Sequence, residues 1–125
     1  ILARAELVRC ATRAASLEFD DCPGFQALRG EAGADELAYA EFLAGRGERV
    51  ASDDPLSRLV ASGVQFRAGK ISPAQISAAA ETASAQGWRR PLLAWLGVQA
   101  KRAEAAGDAE GLRSIRRRIE LIGLD

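Results

Sequence analysis

The sequence predicts an all-α protein, and three observations carry that reading. Alanine dominates an apolar fraction of 48%, while aromatic residues make up only 6%. That balance suits helices packed closely together rather than a sheet core. Apolar residues recur every three or four positions in several stretches. The last third, from Trp88 to Asp125, supplies the clearest signals: Pro91 where a first helical turn begins, Gly107-Asp108 between two periodic runs, and Gly123 closing the second. At 125 residues the chain is the size of one domain, residues 1–125, and is long enough to bury a core without a staple.

The elements follow in order. Residues 1–19 form a helix with Leu7, Cys10, Ala14 and Leu17 on one stripe, ended by Asp20-Asp21-Cys22-Pro23-Gly24. Residues 25–30 make one or two further turns. A second helix covers 35–44, with Asp35 and Glu36 at its positive N-terminal end. Its apolar residues split. Leu37, Ala40 and Ala44 point one way, and Tyr39, Phe42 and Leu43 broadly the other. Such a helix is either buried between neighbours or offers one side to a partner. Residues 45–54 read as a loop, including Gly45-Arg46-Gly47-Glu48-Arg49 and Ser52-Asp53-Asp54.

Pro55 after an acidic cap starts the next helix, whose face carries Leu56, Leu59, Val60 and Gly63 before Gly69 stops it. Ser72-Pro73-Ala74-Gln75 fits a capping box, followed by a stripe of Ile76, Ala79, Ala80 and Ala83 and a stop at Gly87. The helix from Pro91 to Ala106 aligns Leu92, Trp95, Leu96 and Ala103, with Gln99 in their midst. The last helix, from Ala109 to Ile122 behind Asp108, aligns Leu112, Ile115, Ile119 and Ile122. The expected architecture is a small bundle of five to six helices ending in two consecutive helical hairpins. The helices at 55–69 and 91–107 echo each other, so the pattern is weakly repeat-like. Its spacing is near that of tetratricopeptide repeats. Arg116, however, stands where that family places a large apolar side chain, and no family is assigned.

Chemistry is bounded mainly by exclusion. The chain has no histidine, which removes Ser-His-Asp and Cys-His catalysis and the common histidine metal sites. Two cysteines do not build a structural zinc site alone, and no phosphate-binding glycine motif is present. No cofactor is expected. Asp20-Asp21 and Asp53-Asp54 lie where helix-cap acids belong and lack the calcium-loop spacing. Cys10 and Cys22 are close enough in sequence for a disulfide, more easily if the first helix ends early; the alternative is a core thiol and a free loop thiol. A bridge would imply an oxidising compartment. The chain opens at Ile1, inside a helical pattern and without an initiator methionine, which suggests an upstream segment, a cleaved signal included. Localisation is left open. No apolar run reaches the length of a membrane span.

Net charge is zero, yet unevenly spread. Residues 18–54 hold ten acids against three arginines, and residues 88–125 hold eight bases against five acids. Arg113, Arg116, Arg117 and Arg118, with Trp88, Arg89 and Arg90, form the one basic-aromatic cluster, in which Arg113, Arg116 and Arg117 share a side. Three consecutive arginines on a helix splay through about 200°, so they do not make a single stripe. The leading expectation is a non-enzymatic protein–protein interaction module, an adaptor or assembly factor, with homo-oligomerisation as one version. Its partner-binding residues would be Tyr39, Phe42, Leu43, Trp88, Arg113, Arg116 and Arg117. The alternatives are a nucleic-acid-binding protein that uses the C-terminal arginines, held less probable for a neutral chain, and a small-ligand pocket built from Tyr39, Trp95 and Gln99.

Overall fold

A computed structural model describes residues 1–47 and 53–123; of the expected loop, Glu48, Arg49 and Ser52 lie outside the described residues, as does Asp125 at the chain end. The structure is all-helical, with no strand among the described residues. The chain, expected from its length to be one domain, divides into two compact units, Ile1–Ile71 and Ser72–Asp125. The division falls between the two helices expected to form the first hairpin.

Unit 1 contains α1 (Leu2–Ala15), α2 (Pro23–Ala27), a 3-10 turn (Arg29–Glu31), α3 (Ala34–Leu43) and α4 (Pro55–Arg67). The first helix stops at Ala15, short of the expected Phe19. The reason is conformational. Leu17 turns left-handed at φ 62°, the Leu17 N–H donates to Ala14 O at 3.0 Å, and the Glu18 N–H reaches back to Arg13 O at 2.8 Å. Glycine usually takes this closing position, and a leucine there costs roughly 1–2 kcal/mol. Cys22 is left-handed too, at φ 51°, where it opens α2 ahead of Pro23.

Helix α1 is the centre of this unit and packs against α2, α3 and α4. Its stripe is buried as expected at Leu7, Cys10 and Ala14. The approach of α4 is set by Gly63, where a β-carbon would lie only 2.5 Å from the Ala14 carbonyl oxygen. Asp54 caps α4, its carboxylate accepting from the Ser57 N–H at 2.9 Å and the Ser57 hydroxyl at 2.7 Å. Helix α3 buries Phe42 and Leu43, and the Tyr39 ring meets Phe42 edge-on at 5.9 Å.

Unit 2 contains α5 (Pro73–Gln86), α6 (Arg89–Ala105) and α7 (Ala109–Gly123). The capping box at Ser72 forms in both directions: the hydroxyl accepts from the Gln75 N–H at 3.1 Å, and the Ser72 N–H donates to Gln75 Oε1 at 2.8 Å. Gly87, at φ 70°, ends α5 in a left-handed conformation. Helix α6 begins two residues before the expected Pro91, because Trp88 takes the extended capping conformation. A proline in the first turn is tolerated, since N–H groups there lack intrahelical acceptors. Asp108 accepts from the Gly111 N–H at 2.9 Å at the start of α7.

Helix α6 packs against both α5 and α7. It buries Leu92, Trp95 and Leu96, and α5 buries Ile76, Ala79, Ala80 and Ala83. Helix α7 buries nothing fully; Leu112, Ile115, Ile119 and Ile122 are all half-buried. Two ion pairs flank that stripe, Arg116 with Glu104 of α6 and Arg118 with Glu81 of α5, both at 3.7 Å.

Candidate functional site

The surface of unit 1 carries a groove of about 540 Å³ between α1, α3 and the first turn of α4. Helix α1 presents Arg4, Leu7, Val8 and Ala11 to it, residues spaced three and four apart and therefore on one side of the helix. Helix α3 contributes Asp35, Glu36, Ala38 and Tyr39, and α4 contributes Leu56 and Ser57 behind Asp54. The lining is apolar at Leu7, Val8, Ala11, Ala38 and Leu56 and charged at Arg4, Asp35, Glu36 and Asp54. A volume of this size falls within the range of ligand and side-chain pockets.

Phe42 and Leu43 anchor α3 in the core of unit 1. With both side chains in the core, α3 is fixed in rotation, and Tyr39 is left half-buried on the groove side. The Tyr39 hydroxyl has its pKa raised, first by burial and then by the nearby Asp54 charge. At the opposite side Arg4 pairs with Glu36 at 3.7 Å. Asp35 lies in the exposed first turn of α3, where a carboxylate complements the helix dipole.

Of the residues expected to bind a partner, Tyr39 lines this groove; Phe42 is buried, and Leu43, also buried, lines a separate cavity with Ala40, Ala44 and Arg46. Arg113, Arg116 and Arg117 lie three and four apart on α7 and share one side of it. Arg116 and Arg118 are engaged with glutamates, and Arg89 donates to the Gly123 carbonyl at 3.2 Å. Arg113 and Arg117 are exposed and make no ion pair among the described residues, and Trp88 is half-buried at the start of α6. Trp95 is fully buried, and Gln99 lines a different groove, of about 610 Å³, on unit 2. There its amide donates to the Ser77 hydroxyl at 3.3 Å. Tyr39 and Gln99 thus line separate cavities, each within its own unit.

The residues missed from sequence are Val8, Ala11, Ala38 and Leu56. A signal existed. Val8 lies off the main stripe of α1, yet with Arg4 and Ala11 it marks a second side of the helix.

Cys10 and Cys22 are joined as a disulfide, with Cα atoms 5.6 Å apart. The early end of α1 makes the return to Cys22 short. Asp20 secures the same turn: its carboxylate accepts from the Cys22 N–H at 2.8 Å and from Arg13 Nε at 3.0 Å. Those bonds, the backbone one foremost, hold the Asp20 carboxyl below its ordinary pKa. Cys10, Asp20 and Cys22 bring potential metal-ligand atoms within 4.8 Å of one another, but the sulfurs are bonded to each other and offer no thiolate.

No helix among the described residues is long and apolar enough to cross a membrane. No family model matches the chain, and neither the curated proteins nor the solved structures contain a match.

Proposed function

We propose that the chain is a non-enzymatic protein–protein interaction module, an adaptor or assembly factor, which takes an apolar segment of a partner into the α1–α3–α4 groove. The observation that supports this reading is the groove itself. Its lining joins the apolar Leu7, Val8, Ala11, Ala38 and Leu56 to a half-buried tyrosine, while the other aromatic residue of α3, Phe42, is buried. Tyrosine suits such a place, because it offers a large apolar ring with a polar tip at small entropic cost. In this reading the α6–α7 pair, turned at Gly107-Asp108, is a helical hairpin that serves as scaffold.

Photo-crosslinking residues placed at Val8 and Ala38, both exposed, test the proposal in the cells that make the protein. Covalent adducts are expected from these two positions and not from the exposed control position Lys101 on α6. Adducts no more abundant from the groove than from Lys101 would overturn it. A second copy of the chain is one such partner, and light scattering that returns a clean monomer removes that version.

A further inference from the structure

The turn from α1 to α2 gathers metal-ligand atoms that are held by more than the bridge between its cysteines. Cys10 stands on the buried side of α1, and Cys22 opens α2 after Leu17 has turned the chain left-handed. Asp20 joins them. Its Oδ1 accepts from the Cys22 N–H at 2.8 Å and from Arg13 Nη2 at 3.4 Å, and its Oδ2 accepts from Arg13 Nε at 3.0 Å. An ionised carboxylate offers about four lone-pair sites, so these three bonds leave one free. The spacing suits zinc. In a tetrahedral site with thiolate and carboxylate ligands, a sulfur and an oxygen stand about 3.6 Å apart and two sulfurs about 3.8 Å. Cys10 Sγ is already 3.7 Å from Asp20 Oδ1. Sulfurs bonded at the ordinary length of about 2.05 Å would each swing by roughly 1 Å once parted. With Cα atoms 5.6 Å apart, a rotation about each χ1 supplies that movement.

We propose that this turn is a redox-gated zinc site, in which Cys10, Cys22 and Asp20 hold the ion once the disulfide is reduced and water takes the fourth position. A dithiol opens it. One of its thiolates attacks a cysteine sulfur and the S–S bond breaks; the second thiolate then closes the dithiol into its own disulfide and frees the other cysteine. The dithiol gives up two electrons and two protons, and Cys10 and Cys22 take them as thiols. Zinc then replaces the two thiol protons, which leave to solvent. Two thiolates, one carboxylate and a divalent ion leave one negative charge, and Arg13 sets a positive charge behind Asp20 to offset it. Asp20 and Cys22 also line a cavity of about 220 Å³, which gives the reductant and the ion a way in. Oxidation withdraws both thiolates and closes the site.

The test uses the full chain, reduced with a phosphine that ends as its oxide with oxygen from water, and cobalt(II) as a coloured stand-in for zinc. The reduced chain is expected to take up one cobalt ion, with a thiolate charge-transfer band in the near ultraviolet and tetrahedral bands in the visible, and zinc should bleach both. The oxidised chain should show neither. Asp20→Asn should weaken uptake about tenfold or more. Glu18→Gln, which removes the same charge from an exposed position in the same turn, should leave it unchanged. Where circular dichroism finds that Asp20→Asn has lost helix, Arg13→Gln carries the comparison, since it keeps all three ligands and should weaken uptake severalfold. No uptake by the reduced chain, or equal uptake by the oxidised chain, overturns the proposal. Uptake indifferent to both Asp20→Asn and Arg13→Gln, or weakened as much by Glu18→Gln, also overturns it, because two thiols then chelate the ion without a built site.

Discussion

Gly63 and Gly97 both sit inside helices, and the structure assigns them opposite consequences. At Gly63 a β-carbon would lie 2.5 Å from the carbonyl oxygen of Ala14, a backbone atom of α1 that has no freedom to rotate away. An ordinary carbon–oxygen contact is about 3.3 Å or more, so α1 and α4 would have to part by most of an ångström. Overpacking costs about 1–3 kcal/mol, and a clash with backbone that cannot rotate away belongs in the upper part of that range, about 2–3 kcal/mol, while alanine gains about 1 kcal/mol over glycine in helical propensity. Gly63→Ala should therefore destabilise the protein by about 1–2 kcal/mol. At Gly97, in the middle of α6, the same β-carbon meets nothing within 4 Å. Gly97→Ala should therefore stabilise by about 0.5–1 kcal/mol. Urea unfolding followed by far-ultraviolet circular dichroism reads both. The midpoints should move in opposite directions, with Gly63→Ala falling by roughly 1 M for a unit of this size. A Gly63→Ala protein as stable as the parent would refute the close approach of α1 and α4.

Two further predictions concern the turn from α1 to α2. Reducing the Cys10–Cys22 bridge, or replacing both cysteines with serine, releases a loop spanning a sequence separation of 12 and should lower stability by about 3 kcal/mol; an unchanged urea midpoint under reductant would contradict it. Asp20 has a folded pKa below its ordinary value, so its contribution is present above the usual carboxylate range and is lost as pH falls through that lower midpoint. Carbon NMR titration should find the depressed midpoint. Arg13→Gln should raise it only in part, because the Cys22 N–H is the larger cause, and a full return to the ordinary value would reverse that order.

Local chemistry was legible in the sequence where a motif carries its own mechanism. The Ser72–Gln75 capping box, the Asp54-Pro55 start and the Gly87 stop each satisfy helix-end groups with residues only a few positions away. The end of α1 was not legible, because a leucine occupies the left-handed position that glycine normally announces. The echo between 55–69 and 91–107 misleads for a related reason. It aligns Gly63 with Gly97, yet one is pressed against a neighbouring backbone and the other is open. The groove lay furthest from reach. Val8, Tyr39 and Leu56 come together only once α1 has packed against both α3 and α4, and periodicity within one helix carries no information about that. Tyr39 was singled out because α3 is apolar all round, but that pattern did not say which side the core would take.

The two-unit division also separates the chain's natural chromophores. Both tryptophans, Trp88 and Trp95, belong to Ser72–Asp125, and the single tyrosine, Tyr39, belongs to Ile1–Ile71. Indole emission is therefore a signal of unit 2, dominated in its blue component by the fully enclosed Trp95. Phenol absorbance, by contrast, follows unit 1 at the mouth of its groove. Without any label, each half of this molecule reports its own melting.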